Sequence, residues 1–240
     1  MSTSNQENLE TFLRITRTVA DNNECPTPFH LTALFEEHEL LKIDELDQAL
    51  EEAGNSLTDE QCACLFANIA NLNFEDGRVK NRTLMRDAEK SLRIDSGDAR
   101  DVVDGIEKQL QIDQIFTEDK DWDLFCAGLI AIACSDGHFA PSEEEYVKRL
   151  TPENKHLVTG QKINSEKNME ELGECLSDFN TRQRRCLAAH SINMMFVDGE
   201  WNGSEQEYFA IAAKKMRLSQ FEEERLIKGL WTLHNLSVFA

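Results

Sequence analysis

Two acidic pairs at matched spacing are the residues of this sequence best suited to chemistry. Asp136 and Glu143 stand seven positions apart, as do Asp198 and Glu205. In each pair, a glycine follows the aspartate and an apolar residue comes three positions after it. The second half of an EF-hand calcium loop has this pattern, with an acidic ligand, a glycine, an apolar residue and a final glutamate ligand. The chemistry predicted is coordination of a hard divalent cation by carboxylate oxygens.

The first half of an EF-hand loop is missing from both copies. The first and third ligand positions would be Ile132 and Cys134 in one copy, and Met194 and Phe196 in the other. Calcium takes six or more oxygen ligands, whereas each loop offers two carboxylates, so a complete EF-hand is excluded. Two half-sites related by a pseudo-twofold axis would bring four carboxylates together. The predicted ligands of Ca²⁺ or Mg²⁺ are therefore Asp136, Glu143, Asp198 and Glu205. No organic cofactor is predicted.

The same Asp-Gly pairs also have a purely structural interpretation. Glycine readily adopts the left-handed conformation that ends a helix, and aspartate is common in turns. A third pair, Asp76-Gly77, has Thr83 where the glutamate would stand, so only a structural role is predicted for Asp76. For the other two copies, helix termination and cation binding both stay open.

Cys186 and His190 come closest to a catalytic pair, because they stand four apart on one predicted helix. A thiolate beside an imidazolium would be nucleophilic. Both residues lie in an apolar stretch, which favours a core cysteine beside a hydrogen-bonded histidine. The sequence contains no phosphate-binding glycine loop, nucleophile elbow or zinc-protease motif. We therefore predict that the protein is not an enzyme.

The Asp-Gly pairs belong to an internal repeat, since their aspartates are 60 and 62 residues apart. Each pair follows a predicted amphipathic helix and precedes a second and a third helix. The third helix is predicted from Ser96 to Leu110 in the first copy and from about Ser219 in the last. In the second copy, residues 151–165 are polar and break the helical period. The second helices are predicted to start with capping boxes, Ser142 with Glu145 and Ser204 with Glu207.

These patterns predict an all-α fold, a helical bundle of short helices built from repeated three-helix units. Short helices are also predicted at residues 9–20, 31–37 and 43–53, and no stretch alternates with a period of two. The predicted segments are an acidic helical extension at 1–57, a degenerate repeat at 58–118, and a two-repeat helical domain at 119–240.

The charge of the chain disfavours nucleic acid as a partner. Its 240 residues include 45 acidic and 25 basic side chains, for a net charge of −20. Residues 1–57 carry −9, whereas residues 179–240 carry +1, with Arg182, Arg184 and Arg185 as the densest basic spot. Proteins that bind nucleic acid need a positive footprint on the phosphates, and this chain lacks one overall.

The sequence also argues against membrane insertion and secretion. Its longest apolar run, residues 124–134, has 11 residues, fewer than the roughly 18 needed to span a bilayer. The first ten residues lack the pattern of a secretory signal. An odd number of cysteines, seven, favours free thiols in a reducing compartment. We therefore predict a cytoplasmic protein, while the sequence leaves its oligomeric state open.

The repeated segments resemble the TerB-like family, whose members include tellurite-resistance TerB proteins and the N-terminal region of a membrane-anchored DnaJ-like co-chaperone. The best match is residues 196–205, FVDGEWNGSE, followed by residues 134–143, CSDGHFAPSE. The resemblance covers roughly residues 58–236. It implies a pseudo-symmetric helical bundle with an acidic, metal-binding surface, no catalytic activity, and a stress-response role near the membrane with protein partners.

Two functional hypotheses follow. In the first, a non-enzymatic TerB-like stress-response protein binds a divalent cation between the paired half-sites. In the second, the chain is a protein–protein interaction scaffold or co-chaperone-type module without a metal. Under the second hypothesis, the Asp-Gly pairs only end helices, and the binding surface is a groove between helices or lies within residues 1–57.

Overall fold

A computed structural model describes residues 3–38, 40–75, 77–197 and 203–240. The described residues form fourteen α-helices and one hairpin of two-residue strands, which confirms the all-α prediction. The chain divides into two compact units. The first combines residues 1–107 with 228–240, and the second runs from Lys108 to Ile227. The predicted segment boundaries at 57 and 118 concern the repeat and stay a prediction.

The first unit contains the helices of the N-terminal half of the chain and a short C-terminal segment. Its elements are α1 (Thr3–Asn23), α2 (Thr32–Glu37), α3 (Leu46–Ser56), α4 (Asp59–Leu72), β1 (Phe74–Glu75), β2 (Arg78–Val79), α5 (Arg82–Ser91), most of α6 (Ser96–Leu110) and the end of α14 (Gln220–His234). The predicted helix from Ser96 to Leu110 is confirmed at both ends. Helix α1 packs against α3 and α4, and a 3-10 turn at Leu236–Phe239 packs on α1 and α4.

The core of the first unit joins the two ends of the chain. Phe12 is fully buried on α1, and its ring centroid lies 4.8 Å from that of Phe239. On α4, the buried Asn68 donates to the carbonyl oxygen of Leu233 at 3.0 Å. Residues more than 160 positions apart in sequence therefore share one core.

The second unit is built around one helix that is buried on all sides. Its elements are α7 (Ile112–Ile115), α8 (Asp119–Ala133), α9 (Pro141–Leu150), α10 (Asn154–Glu166), α11 (Met169–Ser177), α12 (Thr181–Met194), α13 (Gly203–Lys215) and the start of α14. All ten residues from Leu124 to Ala133 are buried, as expected for a helix that is apolar around its whole circumference. Helices α10, α11, α12 and α13 pack against it.

Residues 151–165, predicted to lack a helical pattern, contain α10, so that prediction is wrong. The buried stripe of α10 is narrow and consists of His156, Leu157 and Gly160. Gly160 lies so close to α8 that an added Cβ would be 2.6 Å from the Cβ of Cys126. Because the residues of this stripe are a histidine, one leucine and a glycine, the helix contributes little apolar periodicity to the sequence.

The predicted capping box of α9 is wrong by two residues. Helix α9 begins at Pro141, with Ala140 in the N-cap position and Glu143 rather than Glu145 as the capping residue. Proline favours the first helical position, because its fixed φ suits the helix and its missing N–H would have no partner there. Helix α13 begins at Gly203, so Ser204 is not its N-cap either.

None of the described helices is both long enough and apolar enough to cross a bilayer. All seven cysteines lie in the described residues, and none forms a disulfide, as the sequence predicts.

Candidate functional site

The second Asp-Gly pair ends a helix. Helix α8 continues into a 3-10 turn at Cys134–Asp136, and Gly137 follows in the left-handed conformation with φ 94°. The N–H of Gly137 donates to the carbonyl oxygen of Cys134 at 3.0 Å. A side chain with a Cβ rarely adopts this φ, so the glycine allows the chain to leave α8 and turn into α9.

Glu143, one of the four predicted ligands, has a structural role at the start of α9. It is 4% exposed, and its Oε2 accepts the backbone N–H of Ala140 at 2.6 Å. A carboxylate in the first turn also interacts favourably with the positive end of the helix dipole. Helix formation therefore accounts for this glutamate on its own.

The structure brings the second and third copies of the repeat together. The 3-10 turn that contains Asp136 packs against α13, whose first turn contains Glu205. This is the approach across copies that a paired site requires. Asp198 lies outside the described residues, as do the side chains of Asp136 and Glu205, so coordination of a cation by the four carboxylates stays a prediction. Among the described side chains, no group of three or more His, Cys, Asp or Glu could hold a metal.

Ser135 is the other notable residue of this turn. Its Oγ is buried and has no hydrogen-bond partner, the one such side-chain atom in the part of the chain that the structure describes. Buried hydroxyl groups normally form a hydrogen bond, because an unpaired one costs about 1–3 kcal/mol. The unpaired oxygen thus lies next to the aspartate predicted to bind a cation.

A buried polar network joins α6, α9 and α12 in the second unit. The Nε2 of His190 lies 2.9 Å from the carbonyl oxygen of Gln109, and its Nδ1 lies 2.9 Å from the hydroxyl of Tyr146. Because a carbonyl oxygen can only accept, Nε2 carries the proton and Nδ1 accepts the proton of the tyrosine. Asn193 completes the network by donating to the Gln109 side chain and bonding to Tyr146.

These contacts argue against a catalytic pair of Cys186 and His190. Both ring nitrogens of His190 are engaged by other residues, and burial lowers the pKa of this histidine to about 4. Cys186 is fully buried, which raises the pKa of its thiol. A neutral thiol beside a neutral imidazole is a poor nucleophile. The geometry favours the core interpretation of both residues.

A surface groove lies in the first unit, within the first 57 residues. It encloses about 630 Å³ between α1 and α3. Ile43 and Ala49 supply its exposed apolar surface, whereas Ile15 and Ala53 also line it but are fully buried. The polar and charged side chains that line it are Thr11, Arg14, Asp44, Glu45, Gln48, Glu52 and Ser56.

The groove is electrostatically negative. Arg14, its one basic side chain, donates to the carbonyl oxygen of Leu41 at 3.4 Å. Asp44, Glu45 and Glu52 form no ion pair with any described residue, although Glu52 accepts a hydrogen bond from Gln48 at 2.7 Å. Three carboxylates without a cationic partner therefore surround an apolar surface.

Sequence patterns only partly identified this groove. The charge of −9 over residues 1–57 and the predicted helices at 9–20 and 43–53 were visible. The residues of α3 that line the groove could not be recognised from the sequence, because they form a mixed stripe of small and polar residues. These residues are Gln48, Ala49, Glu52, Ala53 and Ser56. Such a stripe carries no strong apolar period, so only the packing of α3 on α1 reveals it.

Comparisons with known proteins do not extend this picture. No protein-family model matches the chain, no curated protein matches it, and no solved structure matches it. The resemblance to the TerB-like family stays a prediction from the two motifs.

Proposed function

We propose that this protein is a non-enzymatic helical scaffold that binds a protein partner in the groove between α1 and α3. The groove itself carries the proposal, because it combines an apolar surface with unpaired carboxylates. Protein interfaces typically pair an apolar centre with a polar rim, and this groove has both. The free cysteines and the absence of a spanning helix among the described residues support action in the cytoplasm.

Apolar burial and charge would contribute to binding in different ways. Burying apolar surface stabilises a complex by roughly 25 cal/mol per Å² before the costs of association. Charges at the rim mainly raise the association rate and select the partner. The groove would thus supply affinity through Ile43 and Ala49, and selectivity through its carboxylates.

A matched pair of substitutions on α3 tests this function. Ala49→Arg places a long cationic side chain in the groove, whereas Asn55→Arg adds the same charge at an exposed position of α3 that does not line it. Tagged full-length protein is used to capture partners from the native cytosol, followed by mass spectrometry. We expect partners captured by the parent to be lost with Ala49→Arg and kept with Asn55→Arg. Equal capture by both variants would contradict the proposal.

A divalent-cation site is the second candidate function, and the packing of the Asp136 turn on α13 favours it. Asp136, Glu143, Asp198 and Glu205 provide the carboxylate oxygens that Ca²⁺ and Mg²⁺ prefer. In this version, the cation would join the second and third copies of a TerB-like stress-response protein. The unpaired Oγ of Ser135 next to Asp136 is a further oxygen near the site.

Glu143→Gln separates the structural role from a ligand role. A glutamine can still accept the N–H of Ala140, so the cap survives, but it is a much weaker cation ligand. If a cation binds, Ca²⁺ or Mg²⁺ should raise the melting temperature of the parent and of Glu145→Gln but not of Glu143→Gln or Asp198→Asn. A parent without heat of binding or a melting shift would remove the cation candidate.

A further inference from the structure

We infer that the occupant of the α1–α3 groove is a basic amphipathic helix of a protein partner. This inference rests on the proposed function and specifies the chemistry of its partner. Three properties of the groove carry it: the helices that form its walls, its length, and the sign of its charge.

The walls favour a helix over an extended peptide. An extended peptide binds best by pairing its backbone with the exposed edge of a sheet. In the described part of the first unit, the only strands are two residues long. Two packed helices instead present ridges and grooves of side chains, into which the side chains of a third helix fit. Here, the lining comes from α1 and α3, on which Thr11 and Ala49 reach the solvent.

The length of the groove suits about two turns of helix. On α3, its lining runs from Gln48 to Ser56, which is ~12 Å at 1.5 Å per residue. A helix of that length presents apolar residues at positions i, i+3, i+4 and i+7 on one face. The small side chain of Ala49, which is half-buried, leaves room for larger ones from the partner.

The charge requires basic residues on the partner. Asp44, Glu45 and Glu52 have no cationic partner among the described residues, and Arg14 is bound to a backbone carbonyl. Lysine or arginine residues flanking the apolar face of the incoming helix would pair with these carboxylates. The surrounding segment, 1–57, has a net charge of −9, which steers a basic partner towards the groove.

A second copy of the chain fits less well. Its most basic helix is α12, which carries Arg182, Arg184 and Arg185 and no acidic residue. The apolar side of α12 is used within the second unit, because Leu187 and Ile192 are buried and α12 packs on α8. No free apolar face therefore remains on α12 to enter the groove of another copy.

Three labelled peptides of 18 residues test the inference by fluorescence anisotropy with the full chain. The first contains leucine and lysine with leucines at helical spacing, the second has the same composition with that spacing scrambled, and the third replaces lysine with glutamate. We expect the first to bind at least tenfold more tightly than the second, and the third not to bind. Equal binding of the first two peptides overturns the inference, since it would show only attraction between opposite charges.

Two neighbouring glutamates of α3 provide the matched control. Glu52 lines the groove and Glu51 does not, although both are exposed. Glu52→Lys should weaken binding of the first peptide at least tenfold, whereas Glu51→Lys should change it less than twofold. Thermal melts of both variants should match the parent, because both side chains are on the surface. Similar effects of the two substitutions overturn the placement in the groove.

The remaining outcomes distinguish this inference from the proposed function. If spermidine displaces the peptide when both are at the same concentration, the helix is the wrong occupant. The helix is also the wrong occupant if sedimentation shows that a second copy of the chain fills the groove. If the helical peptide fails to bind but Ala49→Arg still abolishes capture of cytosolic partners, the scaffold function stands and this inference fails. If Ala49→Arg changes neither capture nor peptide binding, both fail.

Discussion

At the scale of single residues, hydrogen bonds determine the protonation state of a buried polar side chain. His190 is 3% exposed, donates from Nε2 to a backbone carbonyl and accepts from Tyr146 at Nδ1. A second proton on Nδ1 would remove the acceptor that the tyrosine needs and bury a positive charge. The neutral form is thus part of the fold of the second unit.

The stability of the second unit should therefore fall in mild acid. Burial lowers the pKa of His190 to about 4 in the folded state, whereas an unfolded histidine has a pKa of about 6.5. Between these values, the unfolded chain takes up a proton that the folded chain refuses. The stabilisation is fully present above about pH 6.5 and is lost as the pH falls towards 4, by about 1.4 kcal/mol per pH unit.

Urea unfolding of the parent and of His190→Gln at several pH values between 4 and 7 measures this effect. Glutamine keeps some of the hydrogen bonds and does not titrate. The free energy of unfolding should therefore depend on pH less steeply in the variant by about that amount. Parallel curves for the two proteins would show that His190 does not carry the acid sensitivity. Only the slope matters, so a lower overall stability of His190→Gln leaves the comparison valid.

Residue types alone predicted the surroundings of Cys186 and His190 in part. The position of Cys186 and His190 in an apolar stretch correctly indicated a core cysteine and a hydrogen-bonded histidine. The partners Tyr146 and Gln109 were not predictable, because they are 44 and 81 positions away from His190. The seven-residue spacing singled out Glu143 as a ligand, which stays a prediction, but it did not reveal that Glu143 also caps α9.

At the scale of the elements, local signals determined which helices could be foreseen. Helix α6 was predicted at both ends because its buried face has a clear period, with Val102 and Ile106 among its core residues. Helix α10 was missed because a glycine occupies its contact with α8.

The first Asp-Gly pair differs from the second in the local structure around it. The buried Asn73 bonds to the backbone of Asn81 in both directions, at 2.8 and 3.0 Å, and closes a β-hairpin there.

The packing of α10 on α8 should be sensitive to one methyl group. A Cβ at position 160 would lie 2.6 Å from the Cβ of Cys126 and 2.9 Å from the backbone nitrogen of Ala127. Backbone cannot yield as a flexible side chain does, so Gly160→Ala should destabilise the protein by about 1–3 kcal/mol. The expected gain in helix propensity, about 1 kcal/mol, would not offset this overpacking.

Gly105→Ala serves as the control, because a Cβ there would meet the Leu230 side chain at an ordinary 3.5 Å. This variant should be as stable as the parent or more stable by up to about 1 kcal/mol. Chemical denaturation of both variants decides the matter. A Gly160→Ala protein at least as stable as Gly105→Ala would mean that α10 can move away from α8 at little cost.

At the scale of the whole molecule, the chain crosses between two compact units and returns to the first. Contact of the last turn with α1 and α4 could not be predicted from the sequence, because local patterns say nothing about pairing between residues more than 160 positions apart. The 3-10 turn at Leu236–Phe239 is nonetheless tied firmly to the first unit. Gln61 donates to the carbonyl oxygen of Val238 at 2.9 Å, and Asn5 donates to that of Ala240 at 2.7 Å.

The C-terminal aromatic residue should therefore stabilise helices at the opposite end of the sequence. Phe239 is 1% exposed and packs on Phe12, so Phe239→Ala removes a buried ring and leaves a cavity. Such a change typically costs 3–5 kcal/mol, a large fraction of the roughly 5–15 kcal/mol that stabilises a domain. Hydrogen exchange by mass spectrometry should show faster exchange in α1 and α4 of this variant. Ser237→Ala, at an exposed position two residues earlier, should leave both helices protected as in the parent. Unchanged protection of α1 in Phe239→Ala would mean that the N-terminal helices form their core without the end of the chain.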